Sequence, residues 1–467
     1  MANRAICAAI LTASLAASIS ADGTADRYQS IDGARLKGYV DELAAMSRRY
    51  RDDGHAQFWG RIIGTSADAE NARWLAAKFA SAALTDVREQ PFDLPPQWMP
   101  QSWSVSASAG GETRTLSSAQ PTYRSEATPA AGLDLEAVDL GLATDADLEG
   151  RDLTGKAVFF YSTDTMSRHS TASNGAWKRI GEHHPAAMFI TLLIPGNLRL
   201  QFYPVGGGQV PTFALGQEDG LAVRQMIAQS RGAVPHIRLR LDVQMTPNLK
   251  TSTVWGTLRG TTDENVVVVA HRDGWFEGAN DNGTGVATLV GLAEYFSKLP
   301  ASARRRTITF LGTSGHHDGT AESGTWLAAH KEQFAKTALI INCEHTAANQ
   351  LVAYNGSVRK ANAASPEMWF VGGSQKLEQI ALGAYRAFGV PIYERGERSA
   401  GGEIGRIQTL APSLQLIDTG LYWHSDRETP DIIPADALAA ATRAFAKIVA
   451  DVDGVPIAEL QRTTESR

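Results

Sequence analysis

The chain has 467 residues, of which 43% are hydrophobic, and a formal net charge of −6. This length is enough for two domains with sizeable cores. Acidic and basic residues are interspersed, so the small net charge gives no electrostatic reason to expect a nucleic-acid partner or binding to an anionic membrane surface.

The amino terminus predicts a secretory signal peptide over residues 1–21. Arg4 precedes an apolar stretch from Ala5 to Ala17, and small residues continue to Ala21. This order of basic, apolar and small residues is typical of a cleaved signal, and the stretch is too short to favour a permanent membrane span. Cleavage would remove Cys7 and leave Cys343 alone, so we expect a periplasmic or secreted protein without an internal disulfide.

After the predicted signal peptide, the residue pattern of the sequence changes at two points. Residues 31–92 carry helical patterns, including an amphipathic segment at 72–83, and we interpret residues 22–108 as the first part of the main domain. Short alternating runs rich in Gly, Ser and Thr follow as far as about residue 247, which predicts a β-rich insertion at 109–247. The main domain is expected to resume at residues 248–467.

The most informative segment runs from Val266 to Gly285. The unbroken apolar run at 266–270 predicts a strand buried on both faces, and His271 and Asp273 follow it directly. Asp281 comes next, in a glycine-rich turn, and apolar residues at helical spacing begin at Val286. The pattern places a carboxylate just before a helix, close to two polar residues at a strand end.

Three later strand-like runs also end on residues that can bind metal. The runs are 307–311, 338–342 and 413–417, and the candidates that follow them are His316, His317, Glu344 and His424. Ligand-type side chains after separate strands converge when the strands are neighbours in one sheet, so we expect a metal site there. The expected fold class is α/β, with a mixed, mostly parallel sheet flanked by helices.

Several of these motifs resemble a known family. In chain order, the motifs are His271-Arg-Asp-x-Trp with Gly-Ala-x-Asp281-x-x-x-Gly, then Arg-Arg-Thr-Ile-x-Phe310, then His424-Ser-x-x-Glu-Thr. They are similar to motifs of the glutamate carboxypeptidase and transferrin receptor branch of the zinc-dependent aminopeptidase-like exopeptidases. The resemblance covers the chain from about Ile62 onward. It implies the zinc exopeptidase fold, and the segments 148–161 and 210–220 resemble the protease-associated domain that this family carries as an insertion over the substrate pocket.

The resemblance also implies a ligand set for two zinc ions. Asp281 would bridge the ions, His271 and Glu344 would hold the first, and His317 and His424 would hold the second. Asp273 would orient His271 through its second ring nitrogen.

One pair of residues departs from the family pattern. The family has Glu-Glu where this chain has His316-His317; the first Glu is its general base and the second is a metal ligand. Imidazole is as good a zinc donor as carboxylate, so His317 can take the ligand role. A neutral His316 can accept a proton, although two nearby divalent ions should lower its pKa and weaken it as a base.

We therefore expect a secreted metal-dependent hydrolase of an amide bond, similar to an aminopeptidase or carboxypeptidase, acting on a peptide or small amide with His316 as general base. Arg398 and Arg406 are candidates for binding a substrate carboxylate. One alternative is a non-catalytic metal- or ligand-binding protein on the same fold. A lesser one is a metal enzyme that uses the two-His, one-carboxylate set of Asp281, His317 and His424. A homodimer is left open.

Overall fold

The computed structural model describes residues 27–162, 171–202, 210–230, 234–317, 326, 329–395, 403, 405, 408–418 and 420–461. The predicted signal peptide lies outside these residues. Two eight-stranded sheets dominate the architecture, one in the main domain and one in the insertion. Within the described part of the chain, no helix is both long enough and apolar enough to span a bilayer.

The main sheet has the strand order β19-β18-β20-β15-β12-β14-β11-β2. Its four central strands β14, β12, β15 and β20 run parallel, whereas β11, β2 and β18 pair antiparallel to their inner neighbours. The mixed, mostly parallel sheet expected from the sequence is confirmed. The strands are β2 (Thr85–Asp93), β11 (Lys250–Leu258), β12 (Asn265–His271), β14 (Thr307–Thr313), β15 (Thr337–Cys343), β18 (Glu367–Gly372), β19 (Ile392–Arg395) and β20 (Ser413–Ile417).

Helices cover this sheet and close its core. Strand β12 is buried along its whole length: Val266 and Val268 pack into the large helical core, while Val267 and Val269 belong to a separate cluster on the opposite face. This arrangement explains why its sequence is apolar without alternation. The helices of the main domain are α1 (Gly33–Asp52), α2 (Ser66–Ser81), α6 (Gly285–Ser297), α7 (Gln375–Phe388), α8 (Ala435–Val452) and α9 (Ile457–Leu460).

The insertion forms the second sheet, in the order β4-β3-β10-β6-β7-β8-β9-β5. Strand β3 pairs with β10 over most of its length, so this sheet begins at Gln97, earlier than the predicted boundary at residue 109. Its elements are β3 (Gln97–Ala109), β4 (Glu112–Thr115), β5 (Gln120–Pro121), β6 (Leu133–Asp139), α3 (Asp145–Leu148), β7 (Ala157–Ser162), α4 (Thr171–Gly181), β8 (Ala187–Leu192), β9 (Thr212–Leu215), α5 (Gln217–Gln229) and β10 (His236–Thr246).

Two short ribbons complete the structure. Strand β1 (Gly60–Arg61) pairs with β13 (Gly274–Trp275), and β16 (Asn349–Tyr354) forms a hairpin with β17 (Ser357–Ala364). The β1–β13 ribbon ties the early Arg61-x-x-Gly-Thr65 turn to the chain just after β12. Thr65 then caps α2 by accepting a hydrogen bond from the backbone N–H of Asp68.

Candidate metal centre

The parallel strands bring the candidate ligands to one edge of the main sheet. His271 ends β12, His316 and His317 follow β14, and Glu344 follows β15. His424 lies seven residues beyond the end of β20. Because the carboxyl ends of parallel strands meet at the same edge, residues far apart in sequence become neighbours.

Asp281 lies at the centre of this cluster. Its Oδ1 is 3.2 Å from Nε2 of His271 and 3.2 Å from Nε2 of His345. Its Oδ2 is 3.2 Å from Nε2 of His317 and 2.8 Å from Nε2 of His424. All five side chains are almost completely buried. A single carboxylate thus has imidazoles on both of its oxygens, which is the arrangement that a bridging ligand requires.

The donor atoms around Asp281 fit a bound cation. Nε2 of His271, Oδ1 of Asp281 and Nε2 of His345 are buried and have no hydrogen-bond partner of good geometry among the described residues. One donor atom each from His271, Asp281 and His317 lie within 4.8 Å of one another. Buried polar atoms of this kind are costly unless something pairs with them, and imidazole nitrogen with carboxylate oxygen is a donor set that zinc accepts.

Asp273 holds two of the imidazoles. Its Oδ2 is 3.1 Å from Nδ1 of His317, while Nδ1 of His271 lies 3.2 Å from the Asp273 carbonyl oxygen and 3.6 Å from Oδ1. The sequence had suggested only the contact with His271. Burial alone would raise the pKa of Asp273, but the two histidines hold it well below its ordinary value. An ionised Asp273 fixes both rings with Nε2 directed toward Asp281.

Three of the histidines around Asp281, His271, His317 and His345, have raised pKa values. Burial would lower the pKa of His317, but the carboxylates of Asp281 and Asp273 raise it to about 9. Burial would also lower the pKa of His345, but the carboxylate of Asp281 raises it to about 9. Protons and cations therefore compete for these nitrogens, because a metal ligand must be deprotonated.

Glu344 and His316 lie on the other side of His271. Oε2 of Glu344 accepts hydrogen bonds from the side-chain amides of Asn342 (2.7 Å) and Gln415 (3.1 Å). Its Oε1 is 3.6 Å from Nε2 of His316. The His316 ring stacks on His271, with centroids 3.9 Å apart and planes inclined by 10°. Two parallel stacked imidazoles cannot both direct an in-plane lone pair at one ion, so only one of them can ligate there.

Four further residues contribute to the cluster without having been singled out as site residues from the sequence. Glu428 accepts backbone N–H bonds from Asn280, Asp281 and His424, and Trp423 donates from Nε1 to Oδ2 of Asp281 at 2.6 Å. His345 contacts Asp281, and Glu403 contacts His316. Glu428 and Trp423 flank His424 in the recognised motif, and His345 adjoins Glu344, so adjacency could have identified three of the four. Glu403 carried no such signal.

The insertion touches the loop that carries His424. The backbone N–H of Gln201 donates to the carbonyl of His424, and the N–H of Asp426 donates to the carbonyl of Arg199. Leu200 forms an isolated bridge with Ser425. The insertion therefore packs directly on one wall of the cluster. Arg398 and Arg406, the candidates for binding a substrate carboxylate, lie outside the described residues.

The part of the chain that carries these residues is similar to known proteins. Residues 253–449 match the model of Peptidase family M28. The human Transferrin receptor protein 2 is 34% identical over 104 residues, a match that covers 21% of this chain and 13% of that protein. The chain thus spans only a small part of that relative.

Solved structures share the fold over nearly the whole chain. A Peptidase M28 precursor from Shewanella amazonensis SB2B has a TM-score of 0.73 and 20% identity, covering 95% of this chain and 99% of its own. BSAP, a zinc aminopeptidase from Bacillus subtilis, has a TM-score of 0.65 and 17% identity, with 92% and 98% covered. An aminopeptidase from Aneurinibacillus sp. strain AM-1 has a TM-score of 0.60 and 17% identity, with 92% and 95% covered. The predicted resemblance is confirmed as a match of residues 253–449 to the model of peptidase family M28, together with a fold shared over nearly the whole chain.

Proposed function

We propose that the protein is an exported, metal-dependent hydrolase that cleaves an amide bond at the end of a peptide or in a small amidated molecule. The observation that carries the proposal is the Asp281 carboxylate, buried with imidazoles on both of its oxygens. The match of residues 253–449 to a peptidase family model supports the same chemistry, and so does the fold, which the chain shares with a zinc aminopeptidase.

The five candidate ligands would divide between two zinc ions. His271 and Glu344 would hold the first, His317 and His424 the second, and Asp281 would bridge them. Such ions lower the pKa of coordinated water and polarise a carbonyl group. His345 contacts the same oxygen of Asp281 as His271 does, 3.2 Å away, so it is an additional candidate on the first side.

His316 is the proposed general base. Its ring stacks parallel to His271, which leaves one of the two unable to ligate a common ion. His271 contacts the bridging carboxylate, whereas Nε2 of His316 lies 3.6 Å from Oε1 of Glu344. That nitrogen is therefore placed beside a candidate ligand, within reach of a proton on an attacking water.

Substrate recognition is assigned to the insertion and to arginines near residue 400. The segment at 199–201 packs against the loop at 424–426, so the insertion resembles a protease-associated domain in forming a wall of the site. Arg398 and Arg406 remain the candidates for a substrate carboxylate. If one of these arginines binds a substrate carboxylate, N-acylated amino acids should be better substrates than aminoacyl amides, because only the former have a free carboxylate.

Elemental analysis tests this proposal, combined with a substrate panel. Protein purified without chelator is expected to contain about two zinc-like ions per chain. It should hydrolyse an aminoacyl anilide or an N-acyl amino acid and lose this activity with chelator. Asp281→Asn should lose metal, whereas His236→Gln, which removes an exposed imidazole in the insertion, should not. Folded protein that binds no metal would overturn the proposal.

A second function has two observations in its favour. The Glu-Glu pair of the resembled family is replaced, and a partial match is to Transferrin receptor protein 2. Two bound ions with no hydrolysis across both substrate classes would indicate a metal- or ligand-binding protein instead.

A further inference from the structure

Glu403 is a buried carboxylate that the ligand set above does not use. It is 5% exposed, and both of its carboxylate oxygens lie 3.1 Å from Nδ1 of His316. The residue precedes strand β20 and does not follow any of the strand ends that carry a ligand. A buried carboxylate against one ring nitrogen determines which nitrogen of that ring carries the proton.

We infer that Glu403 is a positioning residue for His316, holding a proton on Nδ1 so that Nε2 is free to accept one. This inference rests on the proposed function, because it assigns His316 the role of base. Three contacts fix the ring: Glu403 at Nδ1, the stacked ring of His271 on its face, and Glu344 beside Nε2. These contacts therefore fix the orientation of the imidazole ring and the nitrogen that carries its proton.

The pair also compensates for the sequence change at position 316. A neutral imidazole that takes a proton becomes a cation, which is unfavourable near two divalent ions. A negative charge 3.1 Å from the opposite nitrogen stabilises that cation, as the aspartate of a Ser-His-Asp triad does for its histidine. The carboxylate of the family's base is thus replaced by two residues, one accepting the proton and the other stabilising the resulting charge.

A competing role for Glu403 is metal ligation. His271, His316, Glu344 and Glu403 each offer a donor atom within 4.8 Å of the others. The parallel stacking of His271 on His316 argues against one ion held by both rings. An experiment must nevertheless separate a positioning residue from a ligand, because both would lower activity when removed.

The test uses the full chain and three variants: Glu403→Gln, which keeps the side-chain volume, Glu403→Asp, which keeps the charge, and Glu367→Gln as a control. Glu367 is equally buried but lies in β18 and belongs to none of the roles above. The measurements are metal content, kcat and KM, and the tautomer of His316. The tautomer is read from ¹⁵N NMR of histidine-labelled protein, with His316→Gln to assign the signal.

For Glu403→Gln we expect unchanged metal content, kcat lowered at least 10-fold with KM within about 3-fold, and loss of the protonated-Nδ1 tautomer. Glu403→Asp should restore the tautomer and part of kcat, and Glu367→Gln should match the unmodified protein in metal content, kinetics and the tautomer of His316. Loss of a metal equivalent, or an unchanged His316 tautomer in Glu403→Gln, overturns the inference. If the tautomer follows Glu403 but the unmodified protein hydrolyses no amide, the proposed function fails while the pairing of Glu403 with His316 stands.

Discussion

Arg61 offers a quantitative test of how the loop after β12 is held. The residue is fully buried, and its guanidinium donates to Oγ of Ser47 (3.2 Å) and to the carbonyls of Arg272 (3.1 Å), Glu277 (2.7 Å) and Gly278 (3.0 Å). Three of these four acceptors belong to the chain between His271 and Asp281. Arg61→Met removes all four hydrogen bonds and leaves buried carbonyls without a donor.

Two opposing effects set the size of the loss. Burial lowers the pKa of Arg61 from 12.5 to about 10, so the folded protein bears a cost of roughly 3 kcal/mol for its charge. Four charge-assisted hydrogen bonds at about 1.5 kcal/mol or more each outweigh that cost. We therefore expect Arg61→Met to lower the free energy of unfolding by about 3 kcal/mol, or about 3 °C in Tm for a chain of this length.

Calorimetry and metal analysis check this expectation. Arg61→Lys should be nearly as damaging, because an ammonium cannot reproduce the fork of the guanidinium. Arg48→Met is the matched control: Arg48 contacts Glu277 of the same loop but is substantially exposed, so its loss should cost less than about 1 kcal/mol. An Arg61→Met protein as stable as Arg48→Met would refute the reasoning.

Three further predictions concern single sites. His317→Ala should lose one metal equivalent, whereas His316→Ala should keep both and lose activity by about 100-fold or more; equal metal loss in both would show that the roles are misassigned. Burial, and then the charge of Asp418, raises the pKa of Glu367 well above 4.5, so the folded state binds a proton that the unfolded state releases as pH rises. Glu367→Gln should accordingly raise Tm at pH 8, with the gain shrinking toward pH 4.5, and a gain independent of pH would contradict this. Export should leave mature protein that begins near residue 22, and mass spectrometry of cytosolic protein that retains Met1 would argue against a signal peptide.

The sequence predicted the central strands because their physical cause is local. Strands buried on both faces tend to be apolar along their length, and β12 and β15 contain unbroken apolar runs of this kind. Strands β14 and β20 are also buried, although polar residues interrupt their apolar ones. The start of the second sheet at Gln97 depends on the pairing of β3 with β10, and these two strands lie far apart in the chain. Pairing over that distance leaves no mark in a local pattern.

The candidate site residues, too, could be predicted only where a local sequence signal marks them. His271, Asp281, His317, Glu344 and His424 could be identified because each follows a recognisable strand or lies within a specific motif. Glu403 could not, because it reaches His316 from a segment without a periodic pattern, and only the folded chain brings the two together. His345 directly follows Glu344, yet its φ of 48° turns it toward Asp281, and a left-handed backbone at a histidine is not visible in sequence.

Charge balance links these residues to the proposed ions. Five buried carboxylates surround the cluster, and buried charges are retained only when they are paired. They are Asp273, Asp281, Glu344, Glu403 and Glu428. One buried cation, Arg61, interacts electrostatically with several of them. With all five ionised, the four negative charges that Arg61 does not balance would equal the charge of the two proposed divalent ions, and the histidines would then be neutral, the state that ligation and proton acceptance both require. Glutamates at positions 316 and 317 would add two negative charges, so in a site that already contains Glu403 the double histidine would keep the two proposed ions and the proposed base electrostatically compatible.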